Sequence, residues 1–128
     1  MKHLHLAVAG LILAAPLAIA QTADATRQHK TCVSTADSMA DSRRCASDEL
    51  ERQKALLNAE YKIAAADVSP ANKAGLEKAQ KAWVAFRDLD CKTKTSAITG
   101  TGASDMYFEC MLHHIRIRKM QLENYWAL

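Results

Sequence analysis

Four cysteines, Cys32, Cys45, Cys91 and Cys110, stand downstream of a stretch that reads as a cleavable export signal. That pairing constrains the chain more than any other feature. Lys2, His3 and His5 give a positive start, Leu4 to Ala15 is a continuous apolar run, and Pro16 breaks it. Ala18-Ile19-Ala20 supplies the small-x-small pattern for cleavage, which leaves Gln21 as the new N-terminus. The apolar run is short for a bilayer span and no second one follows, so the expectation is no membrane anchor once the signal is removed. No cysteine stands at the cleavage point, so the lipid anchor of a bacterial lipoprotein is not expected either. In the periplasm or beyond, thiols meet an oxidising compartment, and an even number of cysteines reads as two disulfides.

Removing residues 1–20 from 128 leaves 108, enough for one core and too few for two domains. With only four glycines and two prolines, a turn-rich β design is disfavoured. Abundant Ala, Leu, Lys, Glu and Gln favour helix. Losing Lys2 takes 17 basic residues to 16 against 14 acidic, a net charge of +2. Such near-neutrality gives no electrostatic footprint for nucleic acid. The cluster Arg116-Ile117-Arg118-Lys119 reads as the solvated side of a helix.

Polar, aperiodic Gln21–Thr31 reads as a flexible leader, and residues 32–128 as the helical domain. A first helix is expected from about Asp41 to Asp67, with Ala46, Leu50, Leu57, Tyr61, Ala64 and Val68 on one face. Pro70 stops it, while Ser69 caps a second helix that runs to about Lys94. Leu76, Ala79, Trp83, Phe86 and Asp90 or Cys91 form its apolar stripe. Thr95–Ser104 is a loop by composition. A third helix is expected from Ser104 or Asp105, burying Phe108, Met111, Leu112, Ile115, Leu122 and Trp126. The expected fold is therefore all-α, a disulfide-stapled antiparallel three-helix bundle. In it, Cys45, Cys91 and Cys110 gather at one end. All three connectivities remain open, with Cys91–Cys110 and Cys32–Cys45 favoured, each bridge worth about 2–4 kcal/mol. The spacings of 12, 45 and 18 intervening residues contain no CxxC pair, which disfavours a metal or redox site.

The middle of the chain carries a set of sequence words. Leu57-Asn58-Ala59-Glu60-Tyr61 resembles the LNxxY of the LprI-like family, a domain named for lysozyme inhibition. The run from Ala79-Gln80 through Trp83, Arg87 and Asp88 to Cys91 resembles that family's AQxxWxxxRDxxC. Cys110-Met111, Arg118 and Leu122 follow in the places of its CL…R…L. Cys32 and Cys45 fall where many members carry paired cysteines, and the likeness spans about Cys32 to Leu122. Two positions depart from the pattern: Lys54 stands where Asp is common, and Ile115 where Thr is common. The resemblance implies an exported, helical, non-catalytic domain with a protein partner, lysozyme or another muramidase.

Asn58, Tyr61, Gln80, Trp83, Arg87, Asp88 and Arg118 are the motif's polar and aromatic members. They form either a recognition patch or a buried network, and their helical setting favours the network. No catalytic constellation is legible. The serines lack an elbow or a placed histidine, and Asp88 and Asp90 face different sides of a helix. His113 and His114 diverge by about 100°, so no metal or cofactor is expected from them. The candidate contact surface is the loop and helix start carrying Gly100, Gly102, Ser104, Asp105 and Tyr107. Beside a hydrolase inhibitor, the alternatives are a periplasmic structural or stress-related interaction protein, an immunity protein, or more remotely a metal carrier.

Overall fold

The computed structural model describes residues 17–127, with side chains from residue 26 onward. Most of the expected signal peptide, residues 1–16, lies outside the described residues. Four helices follow: α1 (Leu17–Ser34), α2 (Met39–Ala64), α3 (Pro70–Thr95) and α4 (Gly102–Glu123). No strand occurs among the described residues.

The fold is thus all-helical, but with four described helices where three were expected. The added one is α1, which runs through the polar Gln21–Thr31 stretch. It lacks a strong apolar stripe, which is why periodicity missed it. Ties to α2 are seen among the described residues. Cys32 is bonded to Cys45, and the His29 imidazole lies 3.2 Å from the Cys45 carbonyl.

Local chemistry sets the other boundaries. Ser38 caps α2, its hydroxyl accepting from the Asp41 amide. At the far end Asp67 takes φ +52°, a left-handed turn conformation that Asp tolerates better than most residues. Ser69 then caps α3 by accepting from the Asn72 amide, with Pro70 in the first turn. Gly100 (φ +79°) closes the next turn, and α4 begins at Gly102, earlier than the expected Ser104 or Asp105. Both of those residues sit in its first turn, where Asp105 complements the helix dipole.

Packing also departs from a simple sequential bundle. α2 packs on α1 and on α4, while α3 packs on α4 and makes no backbone approach to α2. The short Ala65–Ser69 link thus joins two helices whose backbones do not come close to each other. The core gathers Leu57 and Ala64 of α2, Leu76 of α3, and Ile115 and Leu122 of α4, flanked by Leu50, Tyr61, Trp83 and Tyr125. Burying each of the leucine and isoleucine side chains contributes roughly 1.5–3 kcal/mol.

Because α3 approaches one helix closely, its buried stripe is narrow. Leu76, Arg87 and Cys91 are buried and Gln80 and Trp83 half-buried, whereas Phe86, expected inside, is 58% exposed. α4 is squeezed from two sides. Arg118 and Lys119, expected in solvent, are only 7% and 6% exposed. Trp126, expected on the apolar face, is half out of the protein, yet its indole N–H donates to the Ala64 carbonyl at 2.7 Å. That bond satisfies a carbonyl in the last turn of α2.

Candidate functional site

Most of the motif residues meet where α3 crosses α4. Trp83 is the centre. The Arg87 guanidinium lies 4.9 Å from its ring centroid and that of Arg118 5.9 Å, both within reach of the ring's negative face. Arg118 is also 5.6 Å from the Tyr125 ring. Its Nε donates to Gln80 Oε1 at 2.9 Å and its Nη1 to Gln121 Oε1 at 3.2 Å. Its Nη2 is buried with no hydrogen-bond partner, so two aromatic faces supply its remaining stabilisation.

Arg87 is paired with Asp88, Nε to Oδ1 at 2.8 Å and Nη2 to the same oxygen at 2.7 Å. Arg87 is buried and Asp88 exposed, so the pair brings a buried cation to the surface through its acid. Gln80, Trp83, Arg87, Asp88 and Arg118 therefore form one network. Tyr61 packs against the core on the α2 side, and Asn58 faces solvent, outside the network. Gln121 and Tyr125 belong to it and were missed. They stand three and seven residues after Arg118, Gln121 on its face of α4 and Tyr125 just past the helix end, and that spacing was the signal available.

The loop between α3 and α4 is short, residues 96–101, and Cys91–Cys110 closes its base. Ser104, Asp105 and Tyr107 are exposed on the first two turns of α4, beside the exposed Gly100 and Gly102. Thr101, at the N-cap, makes no side-chain cap bond. The result is a solvent-facing tip, in which the Ala103 and Ser104 amides bond back to the Gly100 and Thr101 carbonyls.

Below that tip, His114 Nε2 meets Asp90 Oδ2 at 2.8 Å, and Lys94 Nζ meets the same oxygen at 2.6 Å. These two bonds, Lys94 first, hold the Asp90 carboxyl below the usual carboxylate range. On the other side of the molecule a cavity of about 360 Å³ opens beside α1, α2 and α4, lined by His29, Glu49, Gln53, Phe108, Leu112 and Arg116. Glu49 is buried, accepting from Arg52 at 3.0 Å and from Gln53 at 2.9 Å, and Gln53 Oε1 has no partner. Nothing in sequence periodicity marked these acids and amides as interior.

Chemically, the arrangement fits binding. Asp88 and Asp90 are engaged with different partners, Arg87 on one side and His114 with Lys94 on the other. The His114–Asp90 pair has both neighbouring cysteine sulfurs locked in a disulfide, so no thiolate nucleophile stands beside it.

A family model described as lysozyme inhibitor LprI matches residues 30–122. The match covers both disulfides and the Trp83–Arg118 network apart from Tyr125, and the chain belongs to the LprI family. No curated protein and no solved structure gives a significant match.

Proposed function

We propose that this LprI family member is an exported binding protein that inhibits lysozyme or a related peptidoglycan hydrolase. The observation that carries the reading is the family match, which runs over residues 30–122 and takes in both disulfides. The two disulfides fit an oxidising compartment. The contact surface in this reading is the tip formed by residues 96–101 and the first turns of α4. Its bridge and its helical flanks restrict it before binding, so little entropy is lost in a hydrolase cleft. The Trp83–Arg87–Arg118 network is the scaffold behind that tip rather than the contact itself.

With a net charge of +2 after signal removal, the protein has no long-range attraction to a strongly basic lysozyme. Affinity in this reading comes from shape and short-range bonds, and depends weakly on salt. A second reading, an interaction protein with a different envelope partner, draws on Phe86 and Leu89, which stand 58% and 66% exposed on α3.

Complex formation separates the two. The purified oxidised protein is titrated calorimetrically into animal, goose-type and bacterial muramidases. The inhibitor reading expects saturable binding to at least one, weakened at least about tenfold by Tyr107→Ala or Ser104→Ala with helicity unchanged. Binding lost through Phe86→Ser but untouched at the tip supports the second reading.

A further inference from the structure

Four donor-bearing side chains converge between α3 and α4. Asp90 and Cys91 are neighbours on α3, and Cys110 and His114 are one turn apart on the facing side of α4. Their donor atoms all lie within 4.8 Å of one another. Cys91 is fully buried and the other three half-buried. The Phe86 ring meets the His114 imidazole edge-on at 5.5 Å, and the Asp90 carboxylate bonds its Nε2 at 2.8 Å, so the imidazole is held from two sides. With the bridge closed, the two sulfurs are not metal donors. Opened, they leave two thiols, one imidazole and one carboxylate around a common point on two helices already packed together. That is a tetrahedral donor set of the kind zinc favours.

We infer that reduction turns the α3–α4 staple into a zinc site made by Asp90, Cys91, Cys110 and His114, so that disulfide and metal are alternative cross-links of the same helices. The electrons come from a dithiol reductant. Its two thiols become its own disulfide, and two electrons and two protons pass to Cys91 and Cys110. A zinc ion then binds both sulfurs as thiolates and releases those two protons to solvent. His114 enters through Nε2 as neutral imidazole, and Asp90 as carboxylate. Two thiolates and a carboxylate exceed the ion's charge by one, and Lys94, 2.6 Å from the Asp90 carboxylate, offsets the excess. The sequence hid this arrangement because its donors come as adjacent or one-turn pairs from two helices, with no CxxC. His113, the obvious companion of His114, takes no part. The consequence is a domain whose loop tip stays clamped in reducing as well as oxidising surroundings.

Cobalt(II) is the probe. Protein carrying Cys32→Ser and Cys45→Ser is reduced and titrated without oxygen, so only Cys91 and Cys110 offer thiolates. The expected result is one cobalt per chain, showing the visible bands of tetrahedral cobalt and a thiolate charge-transfer band, both removed by added zinc. His114→Ala and Asp90→Ala each weaken binding at least about tenfold, since each removes a ligand. Zinc also slows reoxidation of the pair by oxidised glutathione at least about tenfold. A reduced protein without the charge-transfer band overturns the inference. So does a band of equal strength in His114→Ala and Asp90→Ala, the behaviour of a loose dithiol. Should the Cys32/Cys45 variant fail to fold by circular dichroism, the reduced wild-type chain is compared with its Cys91→Ser/Cys110→Ser variant. Loss of the band there supports the site, and retention overturns it.

Discussion

Removing the Cys91–Cys110 bridge is the perturbation whose cost can be worked most directly from the structure. The bridge spans a sequence separation of 19 and ties α3, whose close backbone approach is to α4, to the rest of the domain. The loop-closure entropy it removes from the unfolded chain corresponds to about 3 kcal/mol for a loop of this size. Cys91 is fully buried, so truncating it to alanine adds a small cavity, worth about a further 1 kcal/mol. A domain of this length has roughly 5–15 kcal/mol in total. The oxidised Cys91→Ala/Cys110→Ala variant should therefore lose about 3–4 kcal/mol in urea unfolding followed by circular dichroism. Its slope should rise, because the uncrosslinked unfolded chain exposes more surface. Its melting temperature should fall by roughly 12 °C or more. A loss below about 1 kcal/mol would refute the reasoning, because α3 would then be held by its non-covalent packing alone.

Four further outcomes follow from other parts of the molecule. Trp126→Phe removes the donor to the Ala64 carbonyl while keeping most of the ring, and should cost about 1 kcal/mol in the same unfolding measurement. Trp83→Ala takes away the ring under two guanidinium groups and should cost about 2–4 kcal/mol, with Arg118→Lys costing a smaller share because the forked hydrogen bonds to Gln80 and Gln121 are lost. Asp90 ionises below the ordinary carboxylate range in the folded protein, so the unfolded chain binds the extra proton first as pH falls. Its contribution is complete above the ordinary carboxylate pKa and is lost as pH drops through the lower folded value. Asp90→Asn should thus flatten the acid limb of a stability–pH profile; an unchanged limb would contradict the pairing with Lys94 and His114.

What the sequence disclosed and what it hid divide along the line between local and tertiary chemistry. Ser69-Pro70 marked the α2–α3 break, and Gly100 the turn before α4, because capping, proline geometry and a positive φ act within a few residues. Helix α1 was hidden because its polar sequence shows no clear periodicity, whereas the Cys32–Cys45 bridge and His29 that tie it to α2 are tertiary features. That α3 lies on α4 and not on α2 is set by side-chain complementarity between distant segments, which no turn encodes. The same fact put Phe86 outside and Arg87 inside. Arg118 and Lys119 were hidden for a related reason: a charged run reads as solvated until two helices close over it. For Arg118 the compensation comes from Trp83, Gln80, Gln121 and Tyr125, a set scattered over 46 positions and legible in part through the family's motif words.

The inhibitor reading meets its most direct test in turnover of bacterial cell walls by lysozyme, titrated with the purified oxidised protein. Activity should fall saturably and stoichiometrically, with a midpoint that shifts little between low and physiological salt. Full turnover by animal, goose-type and bacterial muramidases in excess protein would contradict it.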